Sequence, residues 1–154
     1  GESQANRKYT AFARKADEDG LSQVARLFRA AGESETVHAL NHLHVMDGIR
    51  STLENLKEAA GGEADEFEEM YPEFIEQAEE DGNQEARDSF DYACQVEEIH
   101  HELYNRAIEA VQGGEDLESV EMWVCQGCGN TVEEEPPQTC PICGAPRSMF
   151  KNVD

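Results

Sequence analysis

Two Glu-x-x-His pairs, Glu35 with His38 and Glu97 with His100, interrupt the stripes along which this chain should bury its hydrophobes. Steps of three and four residues trace one face of a helix. The first stripe reads Leu21, Val24, Phe28, Ala31, Glu35, His38, His42; the second reads Phe90, Ala93, Glu97, His100, Tyr104, Ala107, Val111. Both pairs therefore fall on seams that a helical fold turns inward. An ionised carboxylate buried without a partner costs several kcal/mol or more. A bound cation is the natural compensation, and two such pairs imply two metal ions.

Proline sets the limits of the helical part. Pro72 is the sole proline before residue 136, so residues 1–112 are free to be almost entirely helical. With 38% hydrophobic residues, a core is possible only where they concentrate on helix faces. Four helices are expected, at 2–18, 21–47, 50–80 and 83–112, with Asp19-Gly20 and Asp81-Gly82 closing the first and third and Pro72 kinking the third. A helix with an inward Glu, a turn, and a helix with Glu-x-x-His occur at Glu2, Glu35 and His38, then again at Glu63, Glu97 and His100. Two such hairpins joined by a long crossover make a four-helix bundle.

After Gln112-Gly113-Gly114 the helical period is lost. Residues 113–120 read as a linker and 121–154 as a small loop-and-strand module, too short for a self-sufficient core without a staple. Four of the five cysteines supply one, as Cys125-x-x-Cys128 and Cys140-x-x-Cys143. Four thiolates at this spacing close a tetrahedron around zinc or a single iron. Trp123, Pro141, Ile142 and Phe150 are placed to shelter the sulfurs, and Gly129 and Gly144 to free nearby amides toward them, an environment that tunes a redox centre. Cys94 reads as a small buried hydrophobe.

The formal charge of -22 excludes nucleic acid as a partner and disfavours anionic membrane surfaces. No long apolar run and no basic-then-apolar leader is present, so a soluble, cytoplasmic protein is expected, without a membrane partner. The acidity fits adaptation to high salt or an ordinary acidic cytosolic protein. The chain opens at Gly1-Glu2-Ser3, and residues upstream of Gly1 are left open.

In the helical part Glu2 and Tyr9 share a face with Phe12 and Ala16, and Glu63 and Glu66 share one with Met70. With the two Glu-x-x-His pairs, the bundle offers five carboxylates and two imidazoles that could converge, a donor set suited to iron, manganese or zinc. His42, His44 and His101 lack a matching carboxylate at helical spacing and read as structural or surface residues. Tyr9 and Tyr71 either fill the core or donate a hydrogen bond to a metal-bound carboxylate.

These residues resemble the rubrerythrin family. Gly1-Glu2-Ser3-Gln4-Ala5 with Arg7 and Tyr9-Thr10 is similar to its first-helix motif, and Glu63-Ala64-Asp65-Glu66 with Met70-Tyr71-Pro72 to its third. Trp123-Val124-Cys125-x-x-Cys128-Gly129 and Cys140-Pro141-x-Cys143-Gly144 resemble rubredoxin. The resemblance implies a mainly α fold, a ferritin-like four-helix bundle followed by a small rubredoxin-like domain. It further implies Glu35 and Glu97 as bridging carboxylates, Glu2 and Glu63 as terminal ligands and His100 as a permanent ligand. Glu66 and His38 would exchange at the other iron with oxidation state, with Tyr9 and Tyr71 hydrogen-bonding the carboxylates. The chain departs from the family in having almost no helix before Glu2 and in the acidic loop Glu133-Glu134-Glu135-Pro136-Pro137.

The expected activity is that of a non-haem di-iron peroxidase reducing hydrogen peroxide to water. Electrons would come from an external reductase or carrier through an iron held by Cys125, Cys128, Cys140 and Cys143, where zinc is a possible substitute. Similarity to the family also implies a homodimer in which one subunit's cysteine centre serves the other's bundle. The competing readings are a ferroxidase or oxygen-reducing oxidase and, outside catalysis, an iron store or a metal-stabilised interaction module.

Overall fold

Asp19-Gly20 and Asp81-Gly82 end helices as their sequence predicts. The computed structural model describes residues 1–153, so Asp154, the last residue of the expected C-terminal module, lies outside the described residues. At Gly20 (φ 76°) the N–H of Leu21 reaches Ala16 O and that of Gly20 reaches Asp17 O; at Gly82 (φ 65°) Asn83 and Gly82 bond Ala78 O and Glu79 O in the same way. These paired bonds satisfy the last helical carbonyls, and the left-handed residue they require is cheapest as glycine. The described chain divides into two compact units, Gly1–Arg50 and the residues from Ser51 onward.

The first unit is a hairpin of α1 (Glu2–Glu18) and α2 (Ser22–Val45). Its helices meet on small residues: Ala13, Ala16, Ala25 and Gly32 are buried. The Asn6 amide donates to Gly32 O at 2.7 Å and to Thr36 Oγ1 at 2.9 Å, tying the two helices together. The stripe read along α2 is not the buried one within this unit. Leu21 and Val24 are 53% and 41% exposed, whereas Phe28 is half-buried against Tyr9 and Phe12. A two-helix hairpin covers only the strip where its helices touch, and alanine and glycine occupy that strip.

Residues 46–51 join α2 to α3, a six-residue connection in place of the expected long crossover. Ser51 already caps α3 (Thr52–Asp65) through a reciprocal pair of contacts with Glu54, leaving no free chain for one. The helix continues as a π-helical segment, Glu66–Met70, then as α4 (Tyr71–Glu80), and α5 (Gln84–Gln112) packs along all three. The expected kink at Pro72 takes this form. Pro72 has no N–H to offer the preceding turn, and the widened segment ends directly before α4, in which it occupies the first turn. Cys94 Sγ lies 3.5 Å from Phe67 O, offering a donor to a carbonyl of that widened turn. Ala60, Ala78, Val96 and Ala107 are the buried residues here, with Phe74 and Phe90 packed 5.4 Å apart at one end.

Beyond α5 the chain forms a three-stranded antiparallel sheet, with β1 (Met122–Cys125) between β2 (Thr131–Glu133) and β3 (Phe150–Val153). Cys125, Cys140 and Phe150 are buried at its centre, and Trp123, Val132, Ile142 and Ala145 pack around them. Pro141, expected to shelter the sulfurs, is instead exposed, because it stands on the outer side of the tight turn that carries Cys140 and Cys143. Among the described residues, no helix is long and apolar enough to cross a membrane.

Candidate metal centres

The Glu-x-x-His spacing on α5 places both side chains on one face, and α3 brings a third group to them. Donor atoms of Glu63, Glu97 and His100 all lie within 4.8 Å of one another. His100 Nδ1 is 2.7 Å from Glu97 Oε2 and 3.8 Å from Glu63 Oε1. All three side chains are more than two-thirds shielded from solvent. Burial, then the adjacent Glu97 charge, pushes the Glu63 carboxyl up to about 7. Two carboxylates crowded in this way repel each other, and a cation accepted by all three groups offsets that repulsion. The donor set of two carboxylates and one imidazole fits a divalent first-row metal, iron included.

Glu66 stands at the first position of the π-helical segment, outside this tight cluster. Its carboxyl is raised chiefly by burial and next by the Glu97 charge, which places it as a neighbour of the cluster. The Tyr71 hydroxyl is likewise raised by burial first, then by the charges of Glu66, Glu97 and Glu63. The π-helical turn therefore presents Glu66, and the first residue of α4 presents Tyr71, to the same group of carboxylates.

The remaining candidates are in the first unit. Glu35 Oε2 lies 3.4 Å from His38 Nδ1, and Glu2 Oε1 lies 3.9 Å from His42 Nε2. His38 is the more open of its pair, its side chain 53% exposed against 22% for Glu35. Tyr9 packs against Phe12 and Phe28. His42, read from the sequence without a carboxylate partner, has one in Glu2, far along the chain and beyond the reach of helical spacing. His101 is structural, as expected: its Nδ1–H donates to Ala60 O at 2.8 Å, and its Nε2 accepts from Asn105 at 2.8 Å.

The four cysteines form the second cluster. Cys125 and Cys143 sulfurs are 3.7 Å apart and those of Cys128 and Cys140 3.6 Å apart. A tetrahedron with metal–sulfur bonds of about 2.3 Å has edges of about 3.8 Å, so the spacing is that of a metal site. Each Cys-x-x-Cys is followed by a glycine at positive φ whose N–H closes the turn on the first cysteine's carbonyl, Gly129 to Cys125 at 2.8 Å and Gly144 to Cys140 at 3.0 Å. The amides just beyond, of Asn130 and Ala145, then point at Cys128 and Cys143 sulfurs. Burial pushes the Cys140 thiol up, but the N–H groups of Cys143 and Ile142, with the Cys128 and Cys143 thiols, bring it down to about 7. The buried Asn130 side chain adds a donor to Cys140 Sγ at 3.7 Å. A thiol already favouring its anion suits a metal thiolate.

The module carrying this cluster rests on α5 of its own chain. Arg106 and Glu133 form an ion pair at 2.6 Å, the first residue of the acidic loop being turned to the helix. Glu135 pairs with Arg147 at 2.6 Å inside the module. Thr131 Oγ1 lies 2.9 Å from His100 Nε2, so the loop after Cys128 touches the imidazole of the first cluster. All of these contacts are made within one chain. No sequence signal marks Thr131, Asn130 or Arg106: their partners are distant in the chain, and nothing about their spacing records the contact.

Comparison with known proteins decides the family. The family model described as rubrerythrin matches residues 1–108, and that of the rubrerythrin rubredoxin-like domain matches residues 123–151. The chain belongs to the rubrerythrin family. It is 35% identical to the rubrerythrin of Porphyromonas gingivalis, over 98% of this chain and 84% of that protein. Identity to rubrerythrin-2 of Clostridium acetobutylicum is 31%, over 98% of this chain and 90% of that one. The nigerythrin of Nitratidesulfovibrio vulgaris is 34% identical, over 97% and 80%. A solved structure of nigerythrin in its mixed-valence state matches with a TM-score of 0.61 at 33% identity, covering 99% of this chain and 81% of that one. Membership fixes the mainly α fold followed by a small rubredoxin-like part. It also assigns the rubrerythrin di-iron site and a rubredoxin-like four-cysteine site, to which the Glu63–Glu97–His100 and cysteine clusters correspond.

Proposed function

We propose that the protein is a hydrogen peroxide reductase, a non-haem di-iron peroxidase of the rubrerythrin type. The observation that carries the proposal is the presence, in one unit, of a carboxylate–imidazole cluster and a four-cysteine cluster joined by the Thr131–His100 contact. A ferrous pair bound there would supply two electrons and Lewis acidity toward a peroxide bond. Glu2, Glu35, His38, Glu63, Glu66, Glu97 and His100 would hold that pair, and Cys125, Cys128, Cys140 and Cys143 the single iron.

The side chains have distinct duties in this reading. Glu97, Glu35, Glu63 and Glu2 would hold the metal pair, the first two as shared carboxylates and the others as terminal ligands, with His100 as the permanent ligand. Glu66, at the edge of the cluster, would alternate with His38 as a ligand. Forming two waters from one peroxide consumes two protons along with two electrons. The Tyr71 hydroxyl, close enough to feel the charges of Glu66, Glu97 and Glu63, would donate to one of those carboxylates and keep it oriented. A cavity of about 360 Å³ lined by Leu56, Leu103, Tyr104 and Met122 opens on Glu63 and His100 and gives a small oxidant a path.

The cysteine-rich module accepts electrons one at a time from an external reductase or carrier. Residues 1–112 form the bundle domain, 113–120 a linker and 121–154 the rubredoxin-like domain of a cytoplasmic homodimer. Mixing the reduced protein with peroxide and with oxygen in a stopped-flow instrument tests the reading. Oxidation at least tenfold faster by peroxide is expected; equal or faster oxidation by oxygen would identify an oxygen-reducing oxidase instead.

A further inference from the structure

His100 has both ring nitrogens engaged, and they face different parts of the protein. Nδ1 is directed at Glu97 and Glu63, on the side where a metal is held. Nε2 meets Thr131 Oγ1 at 2.9 Å, and Thr131 Oγ1 is in turn 3.3 Å from Gly129 O. Gly129 is the residue directly after Cys128, and its N–H closes the first cysteine turn on Cys125 O at 2.8 Å. A short line of polar groups therefore runs from the imidazole to the backbone that shapes the cysteine site.

A hydroxyl serves both states of this ring, because rotation about its C–O bond lets it donate or accept. Next to a carboxylate and without a metal ligand bond, Nδ1 carries the proton and Nε2 must accept, so Thr131 O–H donates to it. When Nδ1 holds a metal its proton is gone, the remaining proton sits on Nε2, and Thr131 Oγ1 must accept. Its own hydrogen then turns to Gly129 O. Ligating histidines are usually fixed by a partner on their other nitrogen, and loss of that partner typically weakens metal binding about 10–100-fold.

We propose that Thr131 is a positioning residue for the bundle metal: it holds His100 with Nδ1 free for ligation and couples that state to the cysteine turn through Gly129. The proposal rests on the reading of Glu63, Glu97 and His100 as metal ligands. It assigns a residue of the rubredoxin-like part a duty toward the carboxylate site, within one chain. Arg106–Glu133 and the packing of Val96 under Gly129, whose added Cβ would lie 3.8 Å from Val96 Cγ1, keep the loop in place for it.

The test uses the full-length protein with its cysteine site loaded, titrated with cobalt(II) and followed by visible absorption, for the wild type, Thr131→Val and Thr131→Ser. Ring nitrogen chemical shifts of His100 are recorded on zinc-loaded samples, and amide exchange of residues 129–131 with and without bundle metal. Thr131→Val should bind cobalt about tenfold more weakly and lose the hydrogen-bonded Nε2–H signature. It should also lose the metal-dependent protection of Gly129, while Thr131→Ser keeps all three. Cobalt affinity of Thr131→Val within twofold of wild type overturns the proposal, as does Thr131→Ser behaving like Thr131→Val. Failure of the wild type itself to bind cobalt at Glu63, Glu97 and His100 would instead overturn the underlying ligand assignment.

Discussion

Glu97 Oε2 lies 2.7 Å from His100 Nδ1, one helical turn away on α5, and Glu63 Oε1 on α3 approaches the same nitrogen to 3.8 Å. Two carboxylates thus share one imidazole in a partly shielded pocket. The energetic conflict this creates in the metal-free protein, and its relief by a cation, has measurable consequences.

The first is a pH-dependent stability of the metal-free protein. The Glu63 carboxyl is raised from 4.5 to about 7, chiefly by burial and then by Glu97. A raised folded value means the fold favours the protonated acid, so its contribution is complete below about pH 4.5 and is lost as pH climbs through about 7. The loss is at most about 3 kcal/mol, and less because Glu97 and Glu63 share the effect. Urea unfolding in chelator across this window should show stability falling with pH in the wild type and a flatter profile in Glu63→Gln. Saturating metal should remove the decline, since the ionised carboxylate then has a partner.

Loss of one thiolate should separate the two centres. Cys140 is buried and is the sulfur most assisted by N–H donors. Cys140→Ser should leave the single-turnover oxidation of reduced bundle iron by peroxide unchanged while steady-state turnover falls at least a hundredfold. Turnover at the wild-type rate would show that electrons take another route.

Stripping metal from the cysteine site should melt the module before the helices. Its buried hydrophobic cluster is Cys125, Cys140 and Phe150, too little apolar surface to order the strands alone. Hydrogen exchange after selective chelation should show protection lost across 122–125, 131–133 and 150–153 while α5 remains protected.

Glu66 is expected to matter for rate more than for binding. It lies outside the Glu63–Glu97–His100 cluster yet feels the Glu97 charge. Glu66→Ala should retain bundle iron, by metal analysis, and slow its oxidation by peroxide about tenfold or more. Loss of iron in this variant would make Glu66 a permanent ligand.

The ion pair of Arg106 with Glu133 is partly exposed, so Arg106→Ala should cost no more than about 1 kcal/mol of overall stability. Its effect should show in exchange of the β2 amides, which should quicken and should recover in the charge-reversed double variant Arg106→Glu with Glu133→Arg.

Helix periods, the Asp-Gly stops and the two Cys-x-x-Cys pairs were fully legible in the chain, because each depends on residues within a few positions of one another. The Glu-x-x-His pairs were legible for the same reason, since helical spacing alone puts Glu97 beside His100. What the sequence left undetermined was how Pro72 is accommodated, which stripe of α2 its hairpin covers, and which group meets the far nitrogen of His100. Those answers depend on packing between distant segments: small residues claim the α1–α2 contact, a π-helical turn absorbs the missing N–H of Pro72, and Thr131 arrives beside His100 only when the sheet settles on α5. Local geometry follows from the order of residues, whereas contacts across dozens of positions exist only once the chain has folded.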